Sequence, residues 1–247
     1  MKTIRIIGMA TILVIVCSLM VACSSDDEEE DGGKGLKGKH EYVDLGLPSG
    51  TLWATCNVGA NSPEEYGDYF AWGEIEGIPS NIDIDTYTFK WCPENFGNNY
   101  IKYCGNSRSG DNGYTDDKTE LDLEDDAAYM NWGSKWRIPN KEQWKELIHP
   151  QFTICTWTTL NGVNGCKITS VKNGKSIFLP AAGNYGATRH LVYKMSVGQK
   201  CCYWPRTFSQ NNPHYTGCFS GYKDDISWYP DFDRLNLASV RPVRNLK

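Results

Sequence analysis

Histidine is scarce in this 247-residue chain: there are four, His40, His149, His190 and His214, and they are scattered. None stands in an H-E-x-x-H arrangement, and no two of the ten cysteines have C-x₂-C spacing, so no zinc site is expected. No Ser/His/Asp or paired-carboxylate pattern picks out catalytic groups, and the chain is not expected to be an enzyme. With 25 basic against 30 acidic residues and a pI near 5.4, it also lacks the clustered positive charge of a nucleic-acid binder. One long apolar run exists, Ile6 to Ala22, and its 17 residues lie at the short limit for a membrane-spanning helix.

That run has the form of a secretory signal. Lys2 and Arg5 give it a positive start, and Leu19-Met20-Val21-Ala22-Cys23 closes it with a small residue before the cut. Because Cys follows the cut, residues 1–22 resemble a bacterial lipoprotein signal, which implies Cys23 as the acylated first residue of the mature chain. Each acyl chain adds about 0.8 kcal/mol per buried CH₂, so several chains together anchor stably. The acidic run Asp26 to Asp31 resembles the export signal that places lipoproteins of Bacteroides-type bacteria on the outer face of the outer membrane. Like charges repel, so the same run also reads as an extended tether that continues through Gly32 to Lys39. The expected organisation is a signal peptide (1–22), a flexible tether (23–39) and one folded domain (40–247).

Without residues 1–22 the net charge is −7, and six of the acids sit in the tether, leaving the folded part close to neutral. About 208 residues, 40–247, suffice for one domain with its own core. Eight cysteines remain there: Cys56, Cys92, Cys104, Cys155, Cys166, Cys201, Cys202 and Cys218. In an oxidising compartment disulfides are plausible, but eight cysteines allow 105 pairings and the sequence does not choose among them. A packed or bridged Cys201-Cys202 is favoured over a thiol active site.

Strand signals are short and numerous: Val43 to Trp53, Asp68 to Trp72, Cys166 to Thr169, Ser176 to Leu179 and Ala238 to Val243, punctuated by Gly, Asn and Pro. Lys167–Thr169 and Ser176–Leu179, joined through Asn173-Gly174, read as a β-hairpin. Two helices are expected. One covers Leu123 to Asn131, with Asp125 and Asp126 in its first turn. The other follows Asn140 through Ile148, with Asn140 as N-cap, Gln143 at the capping-box position and Pro150 as the stop. Short antiparallel strands, two helices and extensive loops make an α+β domain.

Four segments together resemble a known family. They are Glu41-Tyr42-Val43-Asp44-Leu45-Gly46-Leu47-Pro48-Ser49-Gly50-Thr51-Leu52-Trp53-Ala54, Leu123-Glu124-Asp125-Asp126-Ala127-Ala128, Asn131-Trp132-Gly133-Ser134-Lys135-Trp136-Arg137-Ile138-Pro139 and Ser239-Val240-Arg241-Pro242-Val243. They are similar to the Fibrobacter succinogenes major paralogous domain. The run Trp136 to Trp144 is also similar to the corresponding helix start of formylglycine-generating-enzyme-like proteins. The resemblance implies a C-type-lectin-like fold. It does not carry an activity over, because Cys201-Cys202 and Cys218 do not match the reactive pair of those enzymes. Nor does it supply lectin calcium motifs, since Pro93-Glu94-Asn95 has the wrong order and no Trp-Asn-Asp is present. Asp111, Asp116, Asp117, Glu120 and Asp122 offer oxygens for a structural Ca²⁺, but without EF-hand spacing; a solvated loop, and no cofactor, is the expectation.

Residues 201–232 hold nine aromatics in 32 positions, about twice the chain's 13 %. Short polar residues are interleaved with them, the mixture a paratope uses. In C-type-lectin-like targets of diversity-generating retroelements this segment is the variable surface, altered at adenines of Asn-type codons. The resemblance therefore implies ligand contacts at Tyr203, Arg206, Asn211, Asn212, His214, Tyr215, Tyr229 and Asp231. Trp204, Gln210, Lys223 and Trp228 are then scaffold, with Trp228 a fixed ring of the binding surface. The chain departs from the family at Trp204-Pro205-Arg206-Thr207, where Trp-Ser-Ser-Thr is common, and at Leu237, where Gly is common. The expected function is binding of a protein or glycan through this aromatic-rich loop surface by an outer-membrane lipoprotein exposed on the cell. The alternative is a structural or fimbrial-type assembly component; an enzyme acting on glycans comes third.

Overall fold

The computed structural model describes residues 40–81, 87–93, 99–187, 192–208, 210, 212–223 and 225–245. The signal segment, Cys23, the tether and Asn211 lie outside the described residues. Among the described residues there are fourteen strands and two short α-helices, an α+β arrangement dominated by sheet.

The first sheet joins the two ends of the domain. Strands β1 (Tyr42–Asp44), β2 (Thr51–Ala54) and β14 (Val243–Asn245) pair antiparallel, with Val43, Trp53 and Val243 in register. Read as one strand, Val43 to Trp53 is in fact two. Gly46 turns the chain with φ +64°, its N–H held by the Asp44 carboxylate at 2.7 Å.

The second sheet contains β3 (Asp68–Ala71), β4 (Ile78–Pro79), β8 (Asn184–Ala187), β9 (Val192–Met195), β10 (Cys201–Tyr203), β11 (Tyr215–Gly221), β12 (Ile226–Asp233) and β13 (Leu237–Ser239). Its main path runs β12-β11-β10-β13-β3-β4, with β8 on β13 and β9 on β8. All described pairings are antiparallel except β10 with β13, where Tyr203 meets Ser239. The stretch Ala238 to Val243 is therefore split between two sheets, because Arg241 turns inward and Pro242 has no N–H to give a ladder.

A separate meander holds β5 (Thr153–Leu160), β6 (Val163–Ser170) and β7 (Ser176–Pro180). The β6–β7 hairpin has Lys167 opposite Phe178 and Ile168 opposite Ile177, as the sequence suggests. A tighter turn, Asn161-Gly162, joins β5 to β6, with both residues at positive φ (48° and 84°), the requirement of a type I′ turn.

Helix α2 (Lys141–Leu147) is capped as expected, with both halves of the Asn140–Gln143 box formed. The other helix is shorter than its pattern. A 3₁₀ turn covers Leu123–Asp125 and α1 spans Ala127–Trp132, the two broken at Asp126. Asp126 is extended, and its carboxylate accepts from the N–H groups of Ala128, Tyr129 and Ile138. An acid read as a first-turn residue is the N-cap itself.

Strands β10 and β11 separate two aromatic cores. On one side Cys202, Trp204 and Cys218 join Phe70, Trp72, Tyr100 and Tyr103. On the other Cys201, Tyr203 and Phe219 join Trp53, Trp144 and Leu147. Covered on both faces, these strands show no polar-apolar alternation, which is why the segment reads as loop in the sequence.

Candidate functional site

The C-terminal segment is mostly sheet rather than loop, and that sorts its side chains. Of its nine rings, five are buried: Tyr203, Trp204, Phe208, Phe219 and Phe232. The enrichment that suggested a paratope is therefore mainly core. Tyr203 is corrected outright: it is fully buried, its hydroxyl donates to the Pro180 carbonyl at 3.2 Å, and it accepts from Asn57 Nδ2 at 3.3 Å. Burial pushes its phenol well above the ordinary tyrosine range.

Arg206 is likewise committed internally. Its Nε pairs with Glu120 at 2.9 Å and its Nη1 donates to the Ile138 carbonyl at 3.0 Å, pinning the 119–121 segment to the start of α2. Asn212 is exposed, but its Oδ1 accepts the His214 N–H and its carbonyl accepts the Tyr215 N–H, so it also builds the turn into β11. His214 is half-buried, with Nδ1 3.2 Å from the Tyr100 hydroxyl; burial holds its imidazole below the usual range, partly offset by Asp233. Asp233 faces the opposite shift, burial raising its carboxyl against the pull of its own hydrogen bond from Leu235 N–H, His214 and Arg234. Tyr215, half-buried, lies opposite Asp233 in the β11–β12 ladder.

β12 is an edge strand with an irregularity at its centre. Cys218 pairs with Tyr229 and Thr216 with Phe232, so Gly217 alone faces both Pro230 and Asp231. Such a bulge bends the edge, and a proline there removes an N–H from the open ladder, which discourages another strand from pairing. The consecutive residues Tyr229, Pro230 and Asp231 are all exposed, Tyr229 by 49 %. Next to them Trp228 lies over Gly217, where an added Cβ would sit 1.9 Å from its ring. Trp228 also packs on the second core, and the Lys141 ammonium stands 5.8 Å from its ring centre. Glycine at 217 is thus a seat for a tryptophan, a role its sequence context does not announce.

Three of the five acids considered for calcium are spent on the chain's own donors. Asp116 accepts from Tyr103 N–H at 2.7 Å, Glu120 holds Arg206, and Asp122 holds Lys102 and Lys118. Among the described residues one acidic trio converges, Asp122, Glu124 and Asp125, and the Lys102 ammonium sits within it at 2.6, 3.2 and 2.6 Å. Burial works against the Lys102 charge, but those carboxylates outweigh it and raise its pKa. A lysine that supplies the cation leaves little for a metal ion to neutralise.

Two buried arginines were missed by the sequence reading as structural centres. Arg241 donates from Nε to Asn57 Oδ1 at 2.9 Å, from Nη1 to the Ala54 and Thr55 carbonyls, and from Nη2 to the Phe178 carbonyl at 2.9 Å. Arg234 is just as buried, yet none of its three nitrogens finds a hydrogen-bond acceptor. The rings of Tyr100, Phe208, Trp72 and Phe89 surround it at 4.5, 4.7, 5.2 and 6.0 Å. Compared with protein families, curated proteins and solved structures, the chain finds no match in any of the three.

Proposed function

We propose that this chain is a surface-displayed lipoprotein whose C-type-lectin-like domain binds a protein or glycan through the outer edge of β12 and the turn before β11. The contact residues are Asn212, His214, Tyr215, Trp228, Tyr229 and Asp231; Tyr203 and Arg206 leave the set because they are spent internally. The observation that carries the reading is the bulged edge, where an exposed tyrosine and aspartate flank a proline beside a half-buried tryptophan. A rigid amphipathic ring beside short polar groups suits recognition at low entropic cost. The lipoprotein-like signal and the family resemblance support the address and the fold name.

An assembly role is favoured by a different feature. β9 leaves Tyr193 and Met195 about two-fifths exposed at the far side of the sheet, a strip that suits contact between copies. Arrays of glycans and of extracellular proteins, probed with the mature chain, separate the two. Saturable binding to one class by a monomeric protein is the expected result. No binding anywhere, with self-association in sedimentation, would replace the binding reading with assembly.

A further inference from the structure

Two of the eight cysteines in the folded part meet across adjacent strands. Cys202 of β10 lies opposite Ser220 of β11, so Cys218, two residues along, shares its face. The Cys202 thiol points at Cys218 Sγ over 3.8 Å, and both side chains are fully buried in the first core. The neighbouring Cys201 points the other way, donating to the Leu179 carbonyl at 3.1 Å in the second core, and does not compete. The pair sits next to the β11–β12 register break, immediately behind the exposed edge.

We propose that Cys202 and Cys218 are a disulfide-forming pair, closed by thiol–disulfide exchange with an external disulfide, that staples β10 to β11 behind the β12 edge. Where Cys202 opens the exchange, its thiolate attacks one sulfur of the external disulfide. A mixed disulfide forms, and one external thiolate leaves and takes up the proton that Cys202 gave up. Deprotonated Cys218 then attacks the Cys202 sulfur, releasing the second external thiolate, protonated in turn. Two protein thiols are oxidised and one external disulfide is reduced to two thiols. The sulfurs must close from 3.8 Å to bonding distance, about 2.05 Å, and because the two cysteines are diagonal neighbours the strands shift slightly as the bond forms.

The exchange runs before this packing exists, so either thiol can open it; once the strands have closed, the two thiols differ. Burial alone raises a thiol, but the hydrogen bond with Cys218 and the Lys200 ammonium outweigh it and hold Cys202 below its ordinary value, while Cys218 is pushed up. Lys200 is fixed beside the pair by the rings of Phe232 and Tyr222, 5.4 and 5.5 Å from its ammonium. Because neither sulfur is exposed, the exchange belongs to the folding chain, before β11 and β12 close over β10. This inference stands apart from the ligand reading.

The test is a disulfide map of the mature chain, reduced, denatured and refolded in a mixture of reduced and oxidised glutathione, then alkylated and cut with trypsin. The expected product joins the peptides Cys201–Arg206 and Thr207–Lys223, two hydrogens lighter than their sum, with fragmentation placing the bond on Cys202. Cys201→Ser keeps that product and Cys202→Ala loses it. The loop enclosed between the two cysteines is 15 residues, for which the bond is expected to raise the melting temperature by about 5 °C or more over the reduced protein. Alkylation of both Cys202 and Cys218 in the refolded protein would overturn the proposal, as would a bond from either to another cysteine. The wild-type map decides the matter even where a variant does not fold.

Discussion

Arg241→Met is expected to destabilise the fold by about 3–5 kcal/mol, because it strips the donor from several buried oxygens at about 1–3 kcal/mol each. The guanidinium donates to the Asn57 side-chain oxygen and to the Phe178, Ala54 and Thr55 carbonyls. Methionine fills much of the same volume but leaves these acceptors buried without partners. The urea midpoint of unfolding is the readout, and an unchanged m value would show that the denatured state is not the cause. Arg234→Met is the companion measurement. That guanidinium is equally buried, but its nitrogens have no acceptor, and its caging rings offer about 2 kcal/mol of cation–π attraction against a larger desolvation cost. Its replacement is expected to be neutral or stabilising. Two buried arginines of opposite consequence would show that pairing, not burial, decides their worth.

Trp144→Ala is the second large effect. Trp144 is the central ring of the second core, fully buried, 4.8 Å from Trp53, 4.8 Å from Phe219 and 5.6 Å from Tyr203 by ring centroids. Its indole N–H donates to the Trp204 carbonyl, tying α2 to the segment after β10. Truncation costs the transfer energy of the ring plus a cavity, about 3–5 kcal/mol, a large part of the 5–15 kcal/mol that holds a typical domain together. Thermal unfolding followed by near-ultraviolet circular dichroism should show either a drop of roughly 10 °C or loss of the cooperative transition. A change of only a degree or two would contradict the placement of this ring.

What the sequence showed and what it hid follow from where each signal resides. Asn140 and Gln143 announce α2 because a capping box is a local device, complete within four residues. The β6–β7 hairpin was legible because the turn signal Asn173-Gly174 lies between two strand-like runs, again a local device. β10 and β11 were not, because Cys201 and Cys202, or Cys218 and Phe219, bury successive residues in opposite cores. Ring content then looked like a surface feature when it was a two-sided interior. Tyr203 and Arg206 belong to that error, since only tertiary contacts with Asn57, Pro180 and Glu120 reveal them as internal. Asp126 shows the converse: its type and place were seen, but its role as the cap that also holds Ile138 needed a partner twelve residues away.

The central claim is that ligand meets the domain at the edge of β12. The array ligand of highest affinity should be titrated by surface plasmon resonance against wild type, the double variant Tyr229→Ala/Asp231→Ala, and a control, Ile154→Ala/Val171→Ala, that alters exposed apolar residues elsewhere on the surface. The account predicts at least a roughly tenfold weakening for the first variant, with unchanged melting temperature, and wild-type affinity for the control. Wild-type affinity in the β12 variant, or equal weakening in the control, would contradict it.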